Sequence, residues 1–144
     1  MELMTPIILT VDDNEIHCYA LVKTLESAGF DVIHAHTGNE ALALVLEHKP
    51  HAIVLDINLP DVNGFEVCLR IKEDPNTRHI PIIFHTATSP TATARGHAES
   101  VGASAFLTYP VDPEHLITVV RGSLAHQAPG GPGSPHRGLR SFQG

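Results

Sequence analysis

The stretch that most constrains this chain covers residues 52–64 and reads Ala-Ile-Val-Leu-Asp-Ile-Asn-Leu-Pro-Asp-Val-Asn-Gly. Its short apolar run, bounded by turn residues, predicts a buried parallel strand. The strand ends on Asp56, because Pro60 lacks a ladder donor and Asn63-Gly64 favours a turn. Open α/β sheets bind ligands at the carboxyl ends of their strands. Asp56 is therefore expected on a loop that is open to chemistry.

Similar apolar runs recur along the chain and alternate with helix-like segments. We predict strands over residues 6–11, 31–35, 52–56, 81–85 and 103–108. We predict helices over residues 15–28, 40–48, 64–73, 89–101 and 113–125, the first with Asn14 as its cap. The apolar stripe expected on the first helix comprises Ile16, Tyr19, Ala20, Leu21, Val22 and Leu25. Five strands alternating with five helices call for right-handed crossovers and a parallel sheet covered on both faces.

Composition bounds the class of protein. The 144 residues, 42% hydrophobic and 17% charged, fit one globular domain over residues 1–127. Residues 128–144 are rich in Gly and Pro and are predicted to form a flexible tail or linker. With no apolar run near the roughly 20 residues of a membrane helix, and no signal-like start, we expect a cytoplasmic protein without a membrane partner.

Charge and cysteine content exclude two further classes. The formal net charge is −7, and the two arginines in residues 128–144 leave −9 on the rest, which disfavours nucleic-acid binding. Cys18 and Cys68 lack ligand spacing and are predicted to be buried free thiols, with no zinc site. The eleven histidines are interpreted as solvated or incidental. His85 is expected to be the only one near the pocket, and a pH effect through it is a hypothesis.

Polar side chains follow four of the predicted strands. Asp12 and Asp13 follow the first strand, Asp56 the third, Thr86 the fourth and Tyr109 the fifth. These ends share one sheet edge, so the side chains are expected to converge on a single pocket. Three carboxylates repel one another unless a cation or protons intervene, and an all-oxygen set suits Mg²⁺. Asp56 is then a candidate nucleophile toward phosphorus.

Over residues 5–127 the chain resembles the receiver domain of bacterial response regulators and hybrid histidine kinases. Four motifs in this order carry the resemblance: Val-Asp-Asp-Asn at 11–14, Leu-Asp-Ile-Asn-Leu-Pro-Asp-Val-Asn-Gly at 55–64, Pro-Ile-Ile at 81–83 leading to Thr-Ala at 86–87, and Gly-Ala-Ser-Ala-Phe-Leu-Thr at 102–108 leading to Pro110. It implies a doubly wound, flavodoxin-like (βα)5 sandwich with a five-stranded parallel sheet in the order 2-1-3-4-5.

The resemblance also implies roles for particular residues. Asp56 would accept a phosphoryl group from a phosphohistidine. Asp13, Asp56 and the backbone carbonyl of Asn58 would hold Mg²⁺, with Asp12 assisting through water.

The phosphoryl oxygens would in turn need hydrogen-bond donors. Thr86 would bond to them, together with the backbone N–H groups of Asn58 and Ala87, and Phe106 would rotate with Thr86 as a switch aromatic.

Two kinds of partner follow from the same resemblance. A histidine kinase or phosphotransfer protein would donate the phosphoryl group. A downstream protein, or a second copy in a homodimer, would bind the face formed by the fourth helix, fifth strand and fifth helix, with His97, Phe106 and His115 on or near it. Because only the tail follows residue 127, we expect a stand-alone receiver or a fragment of a longer regulator.

Tyr109 departs from the family, which has lysine before Pro110. A tyrosine offers at most one neutral donor, so the pocket lacks that fixed cation. The family also implies a cis peptide bond between these residues.

Three functional classes remain open: a phosphoacceptor module, a phosphate-independent interaction module for which Tyr109 argues, and an enzyme such as a haloacid-dehalogenase-type phosphatase. The enzyme is disfavoured because Asn58 stands where that class has a second acid.

Overall fold

A computed structural model describes residues 5–87 and 91–125. Within these ranges five strands alternate with five helices, in the order β1 (Ile7–Val11), α1 (Glu15–Ser27), β2 (Asp31–Ala35), α2 (Gly38–His48), β3 (Ala52–Leu55), α3 (Gly64–Glu73), β4 (Ile82–Thr86), α4 (Ala92–Ser100), β5 (Ala105–Thr108) and α5 (Pro113–Ala125). All paired strands are parallel, and the sheet order is β2-β1-β3-β4-β5. The expected doubly wound architecture is confirmed.

The two faces of the sheet carry separate apolar clusters, because successive strand residues point to opposite sides. In β3, Ile53 and Leu55 pack with residues of α2, α3 and α4. Ala52 and Val54 pack with residues of α1 and α5 on the other face. Every residue of β3 and β4 is buried, as expected for central parallel strands.

Helix α1 begins where the sequence predicts. The Asn14 side chain accepts hydrogen bonds from the backbone N–H groups of Ile16 and His17, both at 3.0 Å. The predicted apolar stripe is wrong at three positions, since the exposed fractions of Ile16 and Tyr19 are 76% and 66%, and Ala20 is exposed as well. Leu21 and Leu25, one helical turn apart, face the sheet. At about 100° per residue Ile16 and Tyr19 fall on the opposite side of the helix.

Two helices begin at positions that the sequence did not predict. Helix α2 starts at Gly38 because Thr37 Oγ1 accepts from the Glu40 N–H at 3.0 Å. Helix α4 starts at Ala92, capped by Thr91. The predicted start at residues 89–90 and the predicted tail at 128–144 lie outside the described residues.

Strand β5 is shorter than predicted and begins at Ala105. Among the described helices, none has the length and apolar character to cross a membrane.

The thiols differ in burial. Both are free, but only Cys68 is buried, so the prediction is wrong for Cys18, which is half-buried. Cys18 Sγ lies 3.2 Å from Nδ1 of His34, and Thr10 Oγ1 lies 2.7 Å from the same nitrogen. His34 is therefore part of a polar contact under α1, which corrects its interpretation as solvated or incidental.

Candidate functional site

Three carboxylates meet at the carboxyl edge of β1 and β3. One carboxylate oxygen from each of Asp12, Asp13 and Asp56 lies within 4.8 Å of the others. Asp12 is buried, Asp56 is half-buried and Asp13 is exposed. The backbone fixes this arrangement, because the Asp56 N–H donates to the Val11 carbonyl at 2.9 Å. The predicted convergence of these three residues is present in the fold.

Both oxygens of Asp12 have neighbours. Oδ1 accepts a hydrogen bond from the backbone N–H of Asn14 at 2.8 Å. Oδ2 lies 3.7 Å from Nδ1 of His17. Burial raises the pKa of Asp12, while the Asn14 hydrogen bond and the proximity of His17 act in the opposite direction.

Asp56 is a weak acid for an aspartate. Burial raises its pKa to about 6, and the charges of Asp12 and Asp13 act in the same direction. The backbone N–H of Asn58 donates to Asp56 Oδ1 at 3.2 Å and opposes the shift. The backbone N–H of Asn58 is predicted to donate a hydrogen bond to the phosphoryl group. In this structure it donates to the Asp56 carboxylate instead.

The donor set fits a hard divalent cation. All three side chains supply oxygen, and their mutual repulsion favours a positive charge between them. Because Asp13 is exposed and Asp56 only half-buried, coordination positions remain open to water. Asp13 and Asp56 are the residues that would hold Mg²⁺, with Asp12 behind them and the exposed Asn58 beside them.

The predicted phosphate-contacting and switch residues lie on β4 and β5. Thr86 is buried at the end of β4, and its carbonyl accepts from the Tyr109 N–H at 2.7 Å. Ala87 follows it and is exposed. Phe106 is fully buried, and the Arg95 guanidinium lies 5.3 Å from its ring centroid. The structure thus places the predicted switch residue Phe106 in the core.

Tyr109 lies between two histidines. Its peptide bond to Pro110 is cis, as the resemblance implied. The ring centroid of Tyr109 is 4.0 Å from that of His17, with planes 39° apart. On the other side the His85 ring is 5.3 Å away and nearly perpendicular. We call His17, Tyr109 and His85 the aromatic stack.

His85 is the buried end of the aromatic stack. Its exposed fraction is 1%, and its Nε2 has no hydrogen-bond partner in the described chain. Burial, followed by the proximity of His17, lowers the pKa of His85 to about 4. The interpretation of the histidines as solvated or incidental is wrong here, because this imidazole is a neutral core residue.

Sequence reasoning missed His17. The prediction that His85 is the only histidine near the pocket is wrong, since His17 lies closer to the carboxylates. The available signal was the Asn14 cap, which places His17 in the first turn of α1, directly after the acidic pair.

The loop after β3 is held by Gly64 and Asp61. A Cβ atom at Gly64 would overlap the backbone oxygen of Asp56, so no larger residue fits without a shift of the loop. The Asp61 carboxylate accepts from the N–H groups of Gly38 and Asn39 at 2.8 and 2.9 Å, which lowers its pKa. The loop that presents Asp56 is thereby tied to the start of α2.

Comparison with known proteins agrees with this geometry. Residues 8–121 match the family model described as the response regulator receiver domain. The chain is 34% identical over 124 residues to the polar-differentiation response regulator DivK of Brucella ovis, covering 84% of this chain and 98% of that protein.

Solved structures show the same similarity. The chemotaxis response regulator CheY4 of Vibrio cholerae has a TM-score of 0.77 and 28% identity, covering 83% of this chain and 99% of that one. A CheY-like receiver domain protein from Methanospirillum hungatei has a TM-score of 0.80 and 26% identity, covering 86% of this chain and 97% of that one.

Proposed function

Because the chain belongs to the response regulator receiver family, we propose that Asp56 accepts a phosphoryl group from a phosphohistidine of a kinase or phosphotransfer protein. The observation that carries this proposal is the half-buried Asp56 carboxylate, which lies with two further carboxylates at the open edge of the sheet. Receivers of two-component systems are signalling modules, and we propose the same role for this chain rather than an enzymatic one.

The transfer forms one bond and breaks another. A carboxylate oxygen of Asp56 attacks phosphorus, an O–P bond forms, and the P–N bond of the phosphohistidine breaks with its electron pair passing to the imidazole. Asp56 must be ionised for this step. With its pKa raised to about 6, the carboxylate is a stronger base than an ordinary aspartate and is still mostly ionised at neutral pH.

The acidic pocket supports a role for Mg²⁺. Asp13 and Asp56 would hold the ion, with the Asn58 carbonyl and Asp12 completing the set. Bound Mg²⁺ supplies charge neutralisation for the transferred group. Without a cation, the carboxylates of Asp12 and Asp13 repel an approaching phosphate.

The output would pass from Thr86 to a protein-binding face. We propose that Thr86 and the Ala87 N–H bond to the phosphoryl oxygens and that Phe106 responds. His115 is exposed on α5, which supports the proposed partner or homodimer face on α4, β5 and α5. His97 is exposed on α4, but its ring stacks on Phe65 of α3 with centroids 4.3 Å apart, so it gives that face no support. Phe106 is not part of that exposed surface, because it is fully buried.

A phosphate-independent interaction module is the second candidate. It is favoured by Tyr109, which leaves the pocket without the family's lysine. In that case the fold and the α4-β5-α5 face would act without modification of Asp56.

Intact-mass measurement after incubation with acetyl phosphate separates the two candidates. We expect the chain to gain one phosphoryl group with Mg²⁺, and none after chelation of the metal. Asp56→Asn should abolish the gain, whereas Asp31→Asn, a matched change of an exposed aspartate at the start of β2, should keep it. No gain under conditions that modify another receiver, and none from a phosphorylated kinase, would favour the interaction module.

A further inference from the structure

The acidic pocket has few hydrogen-bond donors to offer a phosphoryl group. Its three carboxylates only accept when they are ionised. Among the described residues, His17 is the only side chain within ion-pair distance of any of them, with Nδ1 at 3.7 Å from Asp12 Oδ2. Within the described part of the chain, the basic side chain at this edge of the pocket therefore comes from α1 rather than from β5.

Both the backbone and the ring of His17 are held in place. The cap fixes the backbone, because the His17 N–H donates to Asn14 Oδ1 at 3.0 Å. The Tyr109 ring fixes the imidazole from the side at a centroid distance of 4.0 Å. The His17 side chain keeps 21% of its surface exposed, so part of it is accessible from solvent.

The contacts of Tyr109 are those of its ring and backbone. Within the described chain its hydroxyl makes no hydrogen bond, whereas its ring contacts both His17 and His85. His85 is fully buried and gives the aromatic stack a fixed base on β4. The ring of Tyr109 thus holds the His17 ring in place through its own contact with His85, a buried residue of the sheet.

Building on the function proposed above, we propose that His17 donates an imidazole N–H to the phosphoryl group during its transfer to Asp56, and that the ring of Tyr109 is the positioning residue for His17. The Nδ1 nitrogen faces a carboxylate, and this favours the tautomer with hydrogen on Nδ1. At 3.7 Å from Asp12 Oδ2 this N–H is too far away for a hydrogen bond to that carboxylate, so it is available to the phosphoryl group. No proton changes place in the step. With acetyl phosphate, the Asp56 O–P bond forms and the P–O bond to the acetyl group breaks. The electron pair of that bond leaves with acetate.

Four variants test these roles through the rate of Asp56 phosphorylation by acetyl phosphate with Mg²⁺. His17→Leu removes the donor and should slow the reaction about tenfold, the amount expected for one lost hydrogen bond in the transition state. His17→Asn keeps an amide N–H near the position of Nδ1 and should restore most of the rate. His48→Leu, a change of an exposed histidine at the end of α2, is the control and should have no effect.

The two Tyr109 variants separate the ring from the hydroxyl. Tyr109→Phe keeps the stacking ring and should react at the wild-type rate. Tyr109→Ala loses the ring and should be as slow as His17→Leu. The double variant of His17→Leu with Tyr109→Ala should be no slower than either single variant, because both changes remove the same interaction.

A spectroscopic readout follows His17 directly. Beryllium fluoride with Mg²⁺ is a phosphoryl mimic, and its addition should shift the ¹⁵N resonances of the His17 imidazole together with the backbone amide of Ala87. A shift at Ala87 without one at His17 would overturn the inference, because the mimic would then be bound without contact to the imidazole.

The remaining outcomes are distinguishable. A phosphorylated wild type with an equally fast His17→Leu variant overturns the role of His17 and leaves the proposed function intact. A Tyr109→Phe variant as slow as Tyr109→Ala assigns the donor to the tyrosine hydroxyl instead. A wild type that takes up no phosphoryl group and no beryllium fluoride overturns the proposed function and the role of His17 together.

Discussion

Replacement of the buried imidazole in His85→Leu should flatten the dependence of folding stability on pH. In the unfolded chain His85 has its ordinary pKa of 6.5, and in the folded chain burial lowers the pKa to about 4. Between these values the unfolded state binds a proton that the folded state excludes. Stability that is fully present above pH 6.5 is therefore lost as the pH falls toward 4.

The magnitude follows from the two pKa values. At about pH 5 the unfolded His85 is almost fully protonated and the folded one is mostly neutral, so the loss is about 2 kcal/mol relative to neutral pH. At neutral pH the variant should be at least as stable as the wild type, because the Nε2 atom it removes is buried without a partner in the described chain.

Urea denaturation of the wild type, His85→Leu and His115→Leu at about pH 7.5 and about pH 5 measures this difference. The wild type should lose about 2 kcal/mol more than His85→Leu on acidification. His115 is exposed on α5, so its variant should follow the wild type. Equal losses for the wild type and His85→Leu would refute the argument, because they would mean that the folded state accommodates a charged imidazole at this position.

Three further predictions concern the loop and the pocket. Gly64→Ala should destabilise the fold by about 1–3 kcal/mol, because its Cβ atom would overlap the Asp56 backbone. The Cβ atom of Gly96→Ala on α4 meets no other atom, so this variant should stabilise the fold by up to about 1 kcal/mol. Urea denaturation measures both changes. Asp61→Asn should lower the melting temperature at neutral pH, because it removes the negative charge that accepts from the N–H groups at the start of α2. The difference in melting temperature between wild type and variant should disappear in acid, where protonation of Asp61 removes that charge from the wild type as well. In metal-free protein the Asp56 carboxyl should titrate near pH 6 by ¹³C NMR, and Mg²⁺ should lower that value because a ligand must be deprotonated; no change with Mg²⁺ would exclude Asp56 as a ligand.

Sequence reasoning predicted the features that rest on local pattern. The strands are short apolar runs with turn residues at their ends, and Asn14 is a recognisable cap, so most element positions agree with the structure. The convergence of Asp12, Asp13 and Asp56 follows from the parallel sheet, since all three residues come directly after strands that lie side by side.

The features that were missed depend on rotation and on contacts distant in sequence. Which side of α1 faces the sheet decides that Ile16 is exposed and that His17 faces the pocket, and a wide apolar stripe does not fix this rotation. Burial of His85 follows from its place on the central strand β4, where even a polar side chain is covered. The start of α2 is capped locally by Thr37, and it is held in addition by Asp61, a residue 22 or more positions away along the chain.

The most direct test of the central claim is to locate the phosphoryl group in the modified chain. After incubation with acetyl phosphate and Mg²⁺, borohydride reduces an aspartyl phosphate to homoserine, and peptide mass spectrometry identifies the converted residue. We predict conversion at Asp56 alone, lost when Mg²⁺ is chelated. Conversion at Asp12, Asp13 or Asp61 with Asp56 unchanged, or no conversion at any aspartate, would contradict the proposal that Asp56 is the phosphoacceptor.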